Sequence, residues 1–502
     1  MSIARMFVVL AVVMAALFAP RRAAAREWIV DWAGGGDFVR IADAVAAAAD
    51  DDIVTVRPGV YPSEIRLTHR RLTIRGTNPD DPNVVAATIL EARAAGARHL
   101  IIEDQAVVAI EGLTLRNAVN QFIGGSTHVG QSTVVFRGNR WIRNRVLDDR
   151  GGAIFAYDAD LTLIGNEFVK NESRLRGAAL VVERASRLTL LENRFVDNEC
   201  TGVTGYSRSA AYVECAVVAE RNEFIGIGLS IEDAPNARIT ANVCGGVSEA
   251  HRGIRVGDVG GAIVANNVLI GSGAGVGITI GAGAMQVTGN TATGYLRGID
   301  FSNAYDSLND IVHDNAIYDN LTGIAYHQYP DVDCDFAFNC IDNLYRNLVR
   351  DVLGEFEGRN NFFTDPGVRA RGTWTIAGLP DGVDDVYVPG DVHLAPRSVC
   401  IDAAGEEFPW PAEDVDLDGQ PRGMNGRRDI GADESPALGD LDGDGVVTAA
   451  DIDAFVLALV DPAAHRAAYP RAEPAWAGDC NGDARFDNFD IDAFVALIHA
   501  VP

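Results

Sequence analysis

Asn139-Arg-Trp-Ile-Arg-Asn144, Asn166-Glu-Phe-Val-Lys-Asn171 and Asn193-Arg-Phe-Val-Asp-Asn198 are three copies of one pattern. Weaker copies begin at Asn222, Asn242, Asn267, Asn290, Asn315 and Asn343, and the spacing between copies runs from 20 to 29 residues. Between them lie short alternating apolar runs: Leu161-Thr-Leu-Ile164, Leu188-Thr-Leu-Leu191 and Gly277-Ile-Thr-Ile-Gly281. Alternation with Gly or Asn at the ends predicts strands of about four residues. A repeat this short cannot bury its own apolar face, so copies must stack into a solenoid with a continuous core. Asn at a fixed point of each coil can hydrogen-bond to the coils above and below, at a turn where left-handed backbone is tolerated. Richness in Gly, Asn, Val and Ile, with no helical period, argues against a helical solenoid.

These repeats, preceded by Gly151-Gly-Ala-Ile-Phe155, resemble the right-handed parallel β-helix of the pectin-lyase-like superfamily. The opening is similar too. Gly34-Gly-Gly-Asp-Phe38 leads into an amphipathic helix, Ile41 to Ala49, then Asp52-Ile-Val-Thr-Val-Arg-Pro-Gly-Val-Tyr61 and Leu72-Thr-Ile-Arg-Gly76. The helix would cover the open end of the solenoid and its strand edge. The resemblance spans residues 28–365. Residues 366–435 resemble the C-terminal cap of exported β-helix proteins, through Val399-Cys-Ile-Asp-Ala-Ala404, Asp416-Leu-Asp-Gly-Gln-Pro-Arg422 and Asp429-Ile-Gly-Ala-Asp433. Ser435 to Leu438 reads as a linker.

Residues 438–502 carry two acidic loops. Asp440, Asp442, Asp444, Thr448 and Asp451 stand at positions 1, 3, 5, 9 and 12 of a calcium loop, with Gly445 at position 6. Asp479, Asn481, Asp483, Asp487 and Asp490 repeat the pattern. A hard cation takes about seven oxygens, and alternating side chains of a tight loop aim theirs inward. The position-7 carbonyls come from Val446 and Arg485. One amphipathic helix follows each loop: Ile452-Asp-Ala-Phe-Val-Leu-Ala-Leu459 and Ile491-Asp-Ala-Phe-Val-Ala-Leu-Ile498. Asp at position 12, and loop-then-helix units with no preceding helix, resemble dockerin type I repeats. That resemblance implies calcium as cofactor and a cohesin-like partner. Ala449-Ala450 and Asn488-Phe489 fill the positions through which dockerins recognise cohesins, and they are not the familiar Ser-Thr pair. Ala484 departs from the Gly expected at position 6. The alternative is a solvated acidic tail, which duplicated loops with duplicated helices disfavour.

The expected fold class is therefore all-β, a right-handed parallel β-helix with a small α-helical calcium-binding dockerin domain at its C-terminus. Arg5, the apolar stretch Met6 to Ala19 and Ala23-Ala24-Ala25 read as a signal peptide, residues 1–25. The apolar run is too short for a stable membrane span. Net charge is −28 over 502 residues. Such a surface cannot neutralise a phosphate backbone, which argues against nucleic acid. Only Lys170 among the 42 basic residues is a lysine. Seven cysteines in an exported chain permit disulfides. Proximity in sequence favours Cys334–Cys340 and Cys200–Cys215, and the odd count leaves a thiol over.

Catalytic candidates are fewer. Arg143, Lys170 and Asp197 recur at one place in three coils and should stack about 4.8 Å apart. With Asp148 and Asp149 nearby they could serve proton abstraction next to a uronate carboxylate; otherwise they form a solvated row of alternating charges. The Gly-His-Gly and Arg-Ile-Lys signatures of polygalacturonase-like hydrolases are absent, and His251-Arg-Gly-Ile-Arg255 is a faint echo. The insert His327 to Cys340 carries Tyr329, Asp331, Asp333, Asp335 and Phe336, a mixture suited to sugar or cation binding. The pairing of β-helix with dockerin implies polysaccharide breakdown by a lyase or glycoside hydrolase. The other reading is a non-catalytic adhesion or carbohydrate-binding protein assembled through the dockerin-like module.

Residues 438–502 hold twelve acidic and three basic residues. Unscreened, the loop carboxylates repel one another, and helices under about twelve residues are marginal alone. The module should gain its helicity only with calcium. Asp451→Ala should unfold the first half at ordinary calcium levels, and Ala484→Gly should tighten the second site. Circular dichroism and calorimetry with and without chelator check this; equal helicity in excess chelator counts against it.

Overall fold

The computed structural model describes residues 25–62, 64–92, 96–184, 187–202, 208–247, 252–257, 260–281, 283–301, 310–326, 334–344, 346–350, 360–375, 386–395, 398–405, 415–423, 426–470, 472–483 and 485–500. The signal-peptide segment up to residue 24 lies outside them. The chain divides into two compact units, residues 1–202 with 411–413, and residues 203–410 with 414–502.

The coils of the first unit run through three long sheets, and a fourth, short one is made by Val119–Asn120, Arg145–Val146, Glu172–Ser173 and Glu199–Cys200. The first sheet takes Glu27–Val30, Ile53–Val56, Arg71–Gly76, Val107–Glu111, Thr133–Arg137, Asp160–Ile164 and Arg187–Leu191. The second takes Gly59–Pro62, Thr88–Glu91, Thr114–Arg116, Arg140–Ile142, Glu167–Val169 and Arg194–Val196. The third takes Ile65–Thr68, Leu100–Glu103, Thr127–Gly130, Ile154–Tyr157 and Leu180–Glu183. All of these pairings are parallel, as in Leu161↔Leu188 and Phe168↔Phe195. Period-2 alternation puts Leu161, Leu163, Leu188 and Leu190 inside. Trp141, Phe168 and Phe195 stack down the core with centroids 4.8 and 4.6 Å apart. The helix at Ile41–Ala47 packs Ile41, Ala44 and Val45 inward, as expected of an end cap.

Asn166 and Asn193 stand in one ladder, as the repeats require. Asn139 Nδ2 and N both donate to Asn166 Oδ1, at 3.2 and 2.9 Å, and Asn166 Nδ2 donates to Asn193 Oδ1 (2.9 Å) and Phe136 O (2.9 Å). A second ladder runs through Asn144, Asn171 and Asn198. The left-handed residue is not the ladder Asn but the one before it. Gly138, Gly165 and Glu192 precede the first ladder with φ of 63°, 60° and 56°, and Arg143, Lys170 and Asp197 precede the second with φ of 54°, 53° and 50°.

The second unit repeats this plan through first-sheet strands Ala216–Glu220 to Cys334–Ala337, second-sheet strands Glu223–Ile225 to Cys340–Asp342 and third-sheet strands Ala211–Val213 to Arg346–Arg350. Each unit contributes six second-sheet strands, matching the nine to twelve coils expected in all. The ladder Asn222, Asn242, Asn267, Asn290, Asn315 continues to Asn339 and Asn361, whereas Asn343 stacks with Asn320 in the other ladder. The strands of each sheet thus pair in parallel from coil to coil, the parallel β-solenoid that the repeats call for.

After the coils, Val368–Ala370 pairs antiparallel with Asp391–Leu394. Buried Arg422 donates to the carbonyls of Asp433 (2.7 Å), Asp429 (2.8 Å) and Gly431 (2.8 Å) and lies 3.5 Å from Glu434. Asp429 accepts from the backbone N–H of Asp402 and Ser435. The Asp-Leu-Asp-Gly and Asp-Ile-Gly-Ala-Asp motifs are therefore internal braces. Ser435 and Ala437, expected in a linker, are buried.

A buried amide stripped of its partners costs about 1–3 kcal/mol per orphaned group. Asn166→Ala orphans the backbone N–H of Asn139 and the carbonyl of Phe136 and should lower the urea-unfolding stability by about 3 kcal/mol. Lys170→Gly, which removes a side chain from a left-handed corner, should leave it unchanged or raise it by about 1 kcal/mol. Circular dichroism melts in urea check both.

Candidate functional site

Arg143, Lys170 and Asp197 do line up in successive coils, linked by Arg143 N to Val169 O (3.0 Å) and Lys170 N to Val196 O (2.9 Å). All three are exposed at left-handed corners and form no ion pair with one another. Their left-handed backbone accounts for their recurrence at one place in each coil. Asp148 is bound to Arg174 at 3.0 Å, and Asp149 lies 3.7 Å from Arg150. Of the insert, residues 327–333 lie outside the described residues. Asp335 pairs with His313 at 3.2 Å, and Phe336 is a core side chain packed edge-on to Phe301, so it is not offered to a ligand.

The richest outward face among the described residues of the first unit is that of the third sheet. Alternation turns Arg66, Ile101, His128, Phe155 and Val181 away from the solenoid interior in one row, in register across five strands; Arg66 is exposed and His128 half-buried, while Ile101, Phe155 and Val181 are buried. Gly130, Tyr157 and Glu183 form the next row. The His128 ring stacks on Phe155 at 5.8 Å and lies 5.5 Å from Tyr157. Gly130 leaves the space that the Tyr157 ring fills: a Cβ there would come within 2.8 Å of its hydroxyl. Arg98 donates to the carbonyls of Ile123 (2.6 Å) and Gly124 (2.9 Å), holding the bordering loop. Arg150 reaches Glu183 at 3.0 Å and lies over Phe155, and Arg66 reaches Glu103 at 3.3 Å.

Partial burial, then the positive charges of Arg98 and Arg66, push the His128 imidazole down to about 4. It is neutral at physiological pH. Its Nε2 lies 3.5 Å from Glu103, and its Nδ1 has no hydrogen-bond partner among the described residues. A neutral base, a phenol and three guanidinium groups on one rigid face can bind an anion and move a proton. Sequence reasoning missed this set. The signal was the 27-residue repeat itself, which aligns His128 with Phe155 and Gly130 with Tyr157.

The C-terminal loops take the same shape twice. Asp451 accepts from the N–H of Leu441 (2.8 Å), Asp442 (3.2 Å) and Thr448 (2.8 Å); Asp490 accepts from those of Asn481 (3.0 Å) and Asp487 (2.9 Å). Asp440 receives Gly443 and Gly445, and Gly445 has φ of 85°. One oxygen each of Asp440, Asp442 and Asp444 lies within 4.8 Å of the others. Burial, then the charges of Asp451 and its neighbours, raise Asp440 and Asp442 above the ordinary carboxylate range. These residues could hold a divalent cation through oxygen alone. Thr448, Val446, Asp479, Asp483, Arg485 and Asp487 occupy the corresponding loop places; Ala484 lies outside the described residues. Phe455 and Phe494, equivalent residues of the helices at Asp451–Val460 and Ile491–Ala500, stack at 4.0 Å. The second loop does have a preceding helical turn, Pro474–Ala477, and a further helix at Pro462–Ala468 places buried His465 Nε2 2.8 Å from Leu441 O.

His393, Asp418 and Asp433 form a second cluster within 4.8 Å. Hydrogen bonds to Asp418, then to Asp391, raise His393 to about 9. Protonated, His393 bridges Asp391 and Asp418 and ties the Asp391–Leu394 strand to the C-terminal segment.

Residues 209–348, under a third of the chain, match a family model described as periplasmic copper-binding protein (NosD). No curated protein matches the chain. Among solved structures, a periplasmic alginate epimerase is 13% identical with a TM-score of 0.42, covering 62% of this chain and 77% of that one. A pectate lyase is 12% identical with a TM-score of 0.42, covering 82% and 97%. A PL6 family polysaccharide lyase from Pseudopedobacter saltans is 10% identical with a TM-score of 0.42, covering 73% and 97%. No helix among the described residues is long and apolar enough to cross a membrane.

Proposed function

We propose that this is an exported protein acting on acidic polysaccharide through the outward face of the third sheet, with a calcium-binding C-terminal module that docks it to a partner. The observation that carries the reading is a neutral His128 beside Tyr157 on a face edged by Arg66, Arg98 and Arg150. A proton next to a uronate carboxylate leaves only if that carboxylate is neutralised, and guanidinium groups do this in paired geometry. His128 takes the proton. Tyr157 gives one to the leaving oxygen, which yields an unsaturated sugar, or returns one to the opposite face of the carbanion, which yields an epimer. The segment resembling a signal peptide supports export.

For the module, Asp440, Asp442, Asp444, Thr448 and Asp451 with the Val446 carbonyl hold one calcium. Asp479, Asn481, Asp483, Asp487 and Asp490 with the Arg485 carbonyl hold a second. Ile452 and Val456 stand exposed at the places that Ile491 and Val495 occupy on the second half, and Phe489 is exposed just before Ile491. They form an apolar face suited to a cohesin-like partner. A non-catalytic carbohydrate-binding protein remains the second reading, favoured by the ion pairs that already occupy Arg66 and Arg150.

The purified chain is incubated with polyuronates, and products are followed by ultraviolet absorbance for unsaturated ends and by proton NMR for epimers. His128→Ala should lower turnover by roughly 100-fold or more with the fold retained. The base is the neutral imidazole, so the rate should hold down through pH 6 and fall only as pH drops through about 4. Retention on a polyuronate column without product would select the binding reading. Full turnover in His128→Ala would remove this face from the mechanism.

A further inference from the structure

Two cysteines 60 residues apart in the chain meet in the second unit. Cys340 opens the last second-sheet strand, Cys340–Asp342, and Cys400 lies in the C-terminal segment after Asp391–Leu394. Both are fully buried, in one apolar cluster with Tyr318, Val368, Leu394 and Ile430. The two thiols are neighbours there, close enough for Cys340 to act on Cys400. Each backbone is fixed independently. Cys340 N donates to Asn315 O at 2.9 Å, and Cys340 Sγ points to Thr364 O at 3.4 Å. Cys400 N donates to Ser398 Oγ at 3.0 Å, and its carbonyl accepts from Ile430 N at 2.9 Å. The other described cysteines of the unit with assigned contacts differ: the Cys244 thiol faces Gly253 O and the Cys480 thiol faces Ala477 O.

We propose that Cys340 and Cys400 are joined by a disulfide in the mature protein, a covalent tie between the last coils and the C-terminal cap. This replaces the Cys334–Cys340 pairing expected from proximity in sequence. Cys334 falls on a first-sheet strand, whereas Cys340 turns into the cluster that Cys400 enters. The proposal draws on the reading that the chain is exported, since that compartment supplies the oxidant. The oxidant is a disulfide, carried by an oxidoreductase or by a small molecule such as oxidised glutathione. One cysteine thiolate attacks it, forming a mixed disulfide and expelling one thiol. The second cysteine then attacks the mixed disulfide and expels the other thiol. Two protons and two electrons leave the protein, and the oxidant disulfide becomes two thiols.

The Cys340 thiol beside it, then burial, hold the Cys400 thiol well above its ordinary range, so the folded, reduced cap offers no thiolate and no access. The bond therefore forms as the cap docks, before the cluster closes. Once made, it shortens the freedom of the unfolded chain across the 340–400 segment and so favours the folded state.

The test uses the full chain, unfolded, reduced, refolded in a glutathione redox buffer and then treated with N-ethylmaleimide in denaturant. Peptide mass mapping should find Cys340 and Cys400 unlabelled and linked to each other. Both carrying the label, or either linked to a different cysteine, overturns the proposal. A reductant should lower the urea midpoint of the wild-type protein and leave that of Cys400→Ser unmoved; an equal drop in both also overturns it. Because the oxidant is supplied in the buffer, failure here is separate from failure of export, which is read from the N-terminus of the protein recovered outside the cell.

Discussion

The structure depends on the hydrogen-bonding capacity of one buried carboxamide per corner. A solenoid turn must bend the chain sharply inside a core where no water reaches the freed backbone groups. Aspartate could not donate, and a hydroxyl could not reach two coils at once. Asparagine does both: its oxygen accepts from the coil before, while its nitrogen donates onward to the next Asn and back to a carbonyl. The chain can then turn through a left-handed residue at each corner, at a cost of about 1–2 kcal/mol per non-glycine corner. The ladders in both units offset that strain by leaving the buried corner amides paired.

This division of labour also explains the misleading regularity at the surface. In the first unit the residues before the second-ladder Asn144, Asn171 and Asn198 are left-handed and exposed, so Arg143, Lys170 and Asp197 fall into a row. The third sheet shows the opposite case. Its outward rows are partly sheltered, so a histidine there loses solvent and feels neighbouring guanidinium groups. That environment keeps His128 neutral.

The C-terminal segment follows another logic. Arg422 and Glu434 are buried charges, and burying a charge is tolerated only when it is paired and hydrogen-bonded, while burial raises Asp429 to about 7. Here the guanidinium serves three carbonyls, and each carboxylate serves backbone N–H groups. The braces fix an irregular segment that has few strands of its own. The acidic loops beyond it use the same device, with Asp451 and Asp490 organising their loops from the start of the following helix.

The sequence by itself determined the solenoid, because alternation and a recurrent Asn are local patterns that admit one way of burying the apolar face. It determined the end helix and the duplicated loop-and-helix units for the same reason, since each is written within about ten residues. It did not reveal which ladder an Asn joins: Asn339 and Asn343 differ by one short strand, and only the stacking of coils assigns them. Nor did it show that Phe336 points inward, or that Cys340 meets Cys400. His128, Tyr157, Arg98 and Arg150 become neighbours because coils of equal length bring distant residues into register, while their electrostatics arise from burial. Those are properties of the packed structure, where distance along the chain no longer measures distance in space.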